Sequence, residues 1–212
     1  MADLDVTAIV SELVDAIARA SRRDAWETLE RATTFAAKFS GAGRRLGTAP
    51  VAAPKLRELG LIWPAEVGAD EAGRGALVLT AVAAMPAESH VAFVRDLIRR
   101  GDVRERQAVL RALAALPDAA RFVDIAVDAC RTNVQTVFEA IACDNAFSAR
   151  HFADAAFFQM VLKALFVGAP LARVHGLVER TTPELVRMVE AYASERRAAG
   201  RPVPEDAKLV IR

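Results

Sequence analysis

The sequence predicts an all-α fold: an irregular α-solenoid-like stack of antiparallel helix pairs, HEAT- or TPR-like, with a compact helical bundle as the alternative. Three observations carry that prediction. Alanine, leucine, arginine and glutamate dominate, and all four are good helix formers. The chain is 53% hydrophobic but only 6% aromatic, with short β-branched runs, so its core is built from aliphatic residues at helical spacing. Apolar segments follow one another across short breaks, as antiparallel neighbours require. Val103 and Asn133, the starts of successive pairs, lie about 30 positions apart, which suits a two-helix repeat.

The elements follow in order. Residues 3–20 read as an amphipathic helix, with Leu4, Ile9, Val10, Leu13, Val14 and Ile17 at helical spacing. A second helix is expected over 22–39, N-capped by Ser21, with Trp26, Leu29, Thr33 and Ala36 on its inner stripe. The two form a hairpin over 1–39. Residues 40–70 read as a loop or linker, because SGAGRRLGTAPVAAP is rich in glycine and proline. Leu56, Leu59, Leu61, Ile62 and Trp63 are too apolar for a free linker, so this part is expected to dock on the helices. No strand precedes the GAG at 41–43, which therefore reads as a flexible loop and not a phosphate cradle. A helical-repeat-like body fills 71–200, with helices expected at 71–85, 88–100, 103–115, 118–131, 133–143, 151–166, 169–178 and 183–198. Pro86, Gly101, Pro117, Thr132, Gly168 and Pro183 mark the breaks. The tail 201–212 is proline-interrupted, and its Leu209, Val210 and Ile211 are apolar enough to pack back. The whole of 1–212 is read as one helical domain.

Charge narrows the partners. There are 28 basic and 27 acidic residues, a net charge of +1, and the basic residues are interleaved with acids. No nucleic-acid or acidic-membrane partner is expected from that pattern. The opening Met-Ala-Asp-Leu-Asp is acidic and lacks the features of a secretory signal. The longest uncharged stretch, 75–87, is too short to span a bilayer and contains Pro86, so no transmembrane segment is expected. The expected location is cytoplasmic, with Cys130 and Cys143 reduced and acting as small core residues.

The most unusual feature is a set of polar side chains placed singly in apolar helices. After its first residue, DAAFFQMVLKALF (154–166) is polar only at Gln159 and Lys163, which lie four apart on one face. DAARFVDIAVDACR (118–131) carries Arg121, Asp124, Asp128 and Arg131 three or four apart, again on one face. A helix apolar nearly all round is buried, and buried charges need partners. Lys163 is therefore expected to be mostly buried and to pair with Glu139, Asp124 or Asp128. Asn145 and His151, in the joining segment CDNAFSARHF, can converge above these stripes. Arg131 and Asn133 flank a helix N-terminus, which favours an anionic or carbonyl ligand. Two arrangements give this pattern. One is a ligand pocket formed by Asp124, Asp128, Arg131, Asn133, Glu139, Asn145, His151, Gln159 and Lys163. The other is an ion-pair network that locks helix packing.

Cys130, Cys143 and His151 match no zinc-ligand spacing, so neither a metal nor another cofactor is expected. No nucleophile elbow, P-loop, HExxH or CxxC motif occurs. No catalytic residue is assigned, and the reading leans away from an enzyme.

The runs 127–134 (VDACRTNV), 138–145 (FEAIACDN) and 153–166 (ADAAFFQMVLKALF), with Glu184, Leu185, Ala191, Tyr192, Glu195, Arg196 and 199–201 (AGR), resemble the EboA family. The resemblance is good over about residues 100–205 and looser before them. It implies an accessory protein from a gene cluster that also encodes a membrane prenyltransferase-like protein and sugar- or cyclitol-type enzyme homologues. The cluster is tied to making or exporting a metabolite, including movement of a pigment precursor to the periplasm in cyanobacteria. No catalytic residues come with the resemblance. It leaves two expectations: an accessory protein that binds a cluster partner or a small polar metabolite, or an enzyme acting on a cyclitol- or sugar-like molecule.

Overall fold

A computed structural model describes residues 4–211, and these residues are predominantly α-helical, with one short sheet. The chain divides into two compact units, one running to Ile125 and the other from Ala126 onward.

In the first unit, helix α1 (Val6–Arg19) starts at Asp5, whose carboxylate accepts from the Ala8 amide at 3.0 Å. The helix expected over 22–39 is two helices, α2 (Arg23–Glu30) and α3 (Phe35–Leu46). The break follows from Thr34, which is extended and N-caps α3 by accepting from the Ala37 amide at 3.2 Å. Ser21 is not the cap of α2: it has a left-handed backbone (φ 59°), and Arg22 holds the N-cap position.

The glycine-rich stretch that begins at residue 40 is helical as far as Leu46. Gly41 and Gly43 lie within α3, and a Cβ on Gly43 would press on the Arg74 guanidinium at 3.2 Å. Two strands follow, β1 (Pro50–Ala52) and β2 (Glu66–Gly68), antiparallel with Val51 opposite Val67. Between them, Leu56, Leu61 and Trp63 are buried, and the Trp63 indole N–H donates to the Arg111 carbonyl at 2.9 Å.

The centre of this unit is α4 (Ala69–Ala84), which packs against α1, α3 and the later α6 (Val103–Ala112). Every residue from 69 to 79 is buried, including Asp70, Glu71 and Arg74. A Cβ on Gly75 would meet the Trp63 ring at 2.7 Å, so glycine is what allows that ring its seat. Helix α5 (His90–Arg100) leads into α6, which opens with a reciprocal capping box between Asp102 and Glu105.

The second unit contains four further complete helices: α8 (Gln135–Ala142), α9 (Phe147–His151), α10 (Asp154–Val167) and α11 (Pro183–Ala198). Helix α7 (Val123–Ala129) precedes them and bridges the unit boundary in sequence. Helix α10 packs on both α8 and α11. The helix expected over 169–178 is a single 3₁₀ turn, Leu171–Arg173. It ends at Val174, whose backbone is already extended (φ −75°, ψ 108°). The tail packs back as expected at Val210, which is buried, and Asp206 accepts from the Leu171 amide at 2.7 Å; Leu209 stays 43% exposed. Among the described residues no helix is long and apolar enough to cross a membrane.

Candidate functional site

Lys163 is the residue around which a site can be built. The spacing predicted a carboxylate partner, but its ammonium donates instead to the carbonyls of Cys130 and Thr132, each at 2.6 Å. These carbonyls follow the last turn of α7, where orphan C=O groups and the negative end of the helix dipole favour a cation. The Phe138 ring lies beneath the ammonium, 5.1 Å to its centroid. An ammonium has three donors, and two are taken. None of Asp124, Asp128 or Glu139 forms an ion pair with it.

The expected partners are engaged elsewhere. Asp128 pairs with Arg131 at 2.6 Å on the surface, the two side chains being 71% and 75% exposed. Asp124 is exposed too, so the stripe from Arg121 to Arg131 is a solvent face with local i,i+3 pairs. Such short links satisfy charges without burying them, because water carries most of the solvation. Glu139 is half-buried, accepts from Gln135 at 2.8 Å and lies 3.7 Å from Arg173. Asn145 is fully buried and organises its own turn, donating to the Ala140 carbonyl and accepting from the Phe147 amide, both at 2.9 Å. His151 rests on the Phe147 ring, 4.8 Å between centroids. Burial, then the neighbouring Arg150 charge, pulls its pKa below the ordinary 6.5.

Three of the candidates do converge. Asn133, Gln159 and Lys163 line an open groove of about 710 Å³ formed by α8, α10 and α11. On the α8 side it presents Thr132, Asn133, Gln135 and Phe138. Its floor is the outer face of α10, with Gln159, Leu162, Lys163, Phe166 and Val167. On the α11 side stand Met188, Ala191, Tyr192 and Glu195. Helix α10 is therefore not buried all round: Gln159 is exposed, and Phe166 is 71% exposed. The α11 contribution was visible in the sequence as the spacing 188, 191, 192, 195, one helix face. The exposure of Phe166 had no sequence signal, since a phenylalanine in such a run reads as core.

A second groove, of about 440 Å³, lies further toward the start of α10. Val127, Cys130, Arg131, Phe152, Ala155, Ala156 and Met160 line it, together with Gln159 and Lys163 again. Burial pushes the Cys130 thiol up to about 12, against the pull of the Lys163 and Arg131 charges, so it is protonated and a poor nucleophile at neutral pH. Among the described residues no group of three or more His, Cys, Asp or Glu is arranged to hold a metal.

The buried ionic network that the sequence placed near residue 124 lies instead on α4. Asp70 is fully buried, 2.6 Å from Arg74 Nη1 and 2.7 Å from Arg104 Nε, and Glu71 pairs with Arg111 at 2.5 Å. Arg74 also donates to the Phe39 carbonyl at 3.1 Å. Burial by itself would raise the Asp70 pKa; the hydrogen bonds and charges of Arg104 and Arg74 outweigh it and hold the carboxyl below its ordinary 3.8. The signal was there to find: ADEAGR puts an acid and an arginine i,i+4 at the start of an apolar helix.

Against known proteins, the family model described as metabolite traffic protein EboA matches residues 20–211. Neither a curated protein nor a solved structure matches the chain.

Proposed function

From the premise that the chain belongs to the EboA family of metabolite traffic proteins, we propose that it holds a small amphipathic metabolite non-covalently in the groove of α8, α10 and α11. The observation that carries this reading is Lys163, an ammonium bonded to two carbonyls and, among the described residues, to no carboxylate, in the same groove as the exposed Phe166. A cation with a donor to spare favours a carboxylate or carbonyl head. Phe166, Leu162, Met188 and Tyr192 favour a hydrocarbon or aromatic body, since each Å² of apolar area removed from water contributes about 25 cal/mol. Asn133 and Gln159 supply amides that orient the head. Arg131 belongs to the rim of the adjoining groove.

The role is that of an accessory protein to the enzymes or transporters that make or use the metabolite. The alternative of turnover on a sugar- or cyclitol-like substrate has less support, because Asp128 and Glu139 are engaged by Arg131 and Arg173. A protein partner that seats an apolar side chain on Phe166 is the second reading, favoured by the exposure of that ring. A cytoplasmic location, where cysteines stay reduced, suits the thiols Cys130 and Cys143.

The test compares decanoate with decylamine by isothermal titration. Decanoate is expected to bind with a single saturating phase and decylamine at least about tenfold more weakly, a difference of ~1.4 kcal/mol. Phe166→Ser should weaken both probes. Equal affinity for the two, or no effect of Phe166→Ser, would refute the reading.

A further inference from the structure

Among the described residues five large apolar side chains stand exposed, and two of them, Phe166 and Val134, belong to one face. Phe166 lines the groove of α8, α10 and α11, and Val134 sits between Asn133 and Gln135, which line it too. An exposed apolar patch rimmed by polar groups marks a surface that another molecule covers. Two charges lie in the same face. Lys163 has one ammonium donor left after the Cys130 and Thr132 carbonyls. Glu195 is exposed on α11, and among the described residues its carboxylate takes part in no hydrogen bond or ion pair. The two share the groove without pairing with each other.

The face therefore has an apolar centre, one cation and one anion, each short of a partner. Such a face is complementary to itself. Under two-fold symmetry residue i of one copy meets residue j of the other while j meets i, so one unpaired acid and one base become two ion pairs. An unrelated partner would have to bring an acid, a base and an apolar group in the matching arrangement; a second copy has them already. We propose that the α8, α10 and α11 face is an interface between two copies of this chain. Glu195 of each copy pairs with Lys163 of the other, and Phe166 of each seats beside Met188 and Tyr192 of the other. The net charge of +1 leaves little repulsion between copies. Three helix faces make an interface at the low end of the specific range, so the dimer is weak and reversible. This association does not depend on the proposed metabolite. Because both use one groove, however, the two compete: the empty protein dimerises and the loaded protein is monomeric.

Sedimentation equilibrium on the full chain, from about 5 µM to about 500 µM, tests the interface. The parent should approach a dimer at the upper end. Glu195→Lys places like charges together twice and should weaken the dimer at least about tenfold, as should Phe166→Ser. Glu190→Lys makes the same change of net charge at an exposed position of α11 outside the groove, and should leave the dimer within about twofold of the parent. Saturating decanoate should dissociate the parent dimer. Thermal melts verify folding, and Ala191→Arg, exposed on the same wall, replaces Glu195→Lys if that variant does not fold. A parent that stays monomeric throughout overturns the inference and leaves the metabolite reading intact. So does a dimer that Glu195→Lys and Phe166→Ser leave unchanged, or that Glu190→Lys weakens equally. A dimer that persists while titration shows decanoate bound also overturns it. If the variants break the dimer and titration shows no decanoate binding, the interface stands and the metabolite reading fails.

Discussion

Lys163 illustrates how one residue can be half-legible. Its place in MVLKALF marked it as unusual, and its spacing from Gln159 was readable. What it touches was not, because backbone carbonyls of Cys130 and Thr132 carry no sequence signature as acceptors. Lys163→Met therefore does not strand a carboxylate. It leaves two helix-end carbonyls without their charged donor, which is expected to cost ~1.5–3 kcal/mol. That is less than the ~3–5 kcal/mol of breaking a buried ion pair. Urea unfolding at unchanged slope measures the difference. A loss above that range would mean the ammonium is neutralised by a group other than these carbonyls. The same variant removes the feature that favours decanoate over decylamine, so it separates the stabilising part of Lys163 from the ligand-selecting part. Asn145 shows the opposite case: it was flagged as a candidate ligand contact, yet both its ends are used in closing the turn between α8 and α9.

At the scale of elements, α4 and α10 are both apolar helices that carry isolated charges, and of the two the sequence predicts buried charges only in α10. Helix α4 has neighbours on several sides, α1, α3 and α6, so its charges had to be paired inside. Helix α10 has α8 and α11 and leaves a face open, so Gln159 reaches solvent. This difference predicts a pH response. The Asp70 carboxyl titrates lower in the folded chain than in the unfolded one. Its stabilisation is thus fully present above the ordinary value of 3.8 and is lost as pH falls through the folded-state value. Asp70→Asn should cost ~3–5 kcal/mol at pH 7, since it leaves Arg74, 3% exposed, without its partner charge. The variant should also show a flatter loss of stability than the parent as pH falls from about 4 downward, the window that opens where an unfolded Asp ionises. Urea midpoints across that range read both effects; parallel pH curves for parent and variant would remove Asp70 from the acid response. Asp70→Glu would preserve the charge and reports whether geometry or charge is at stake.

For the whole molecule, composition makes a further prediction. Basic and acidic residues nearly cancel, 28 against 27, so no long-range field of the chain gathers anions. Any preference for decanoate over decylamine must come from the local Lys163 site. Charges in partly buried contact are screened far less than surface charges a Debye length apart. Raising salt from about 0.05 M to about 0.5 M should therefore change decanoate affinity by less than about threefold. A steep salt dependence would instead assign the binding to dispersed surface arginines.

By itself the sequence determined that the chain is helical, where most helices begin and end, which family it belongs to, and that Gln159 and Lys163 share a face. Those are properties of local chemistry: propensity, capping residues and periodicity act within a few residues of one another. Helix α11 begins and ends where its proline and apolar spacing say it should. Only the tertiary structure decided which apolar faces stay open and which charges find partners. Phe166 in the groove and Phe157 in the core lie in the same helix and read alike, and they differ because packing against α8 and α11 covers one and not the other. Likewise the acids at 70 and 128 each have an arginine three or four positions away, yet one pair is sealed and the other solvated. Burial depends on neighbours distant in sequence, and periodicity within one helix contains no information about them.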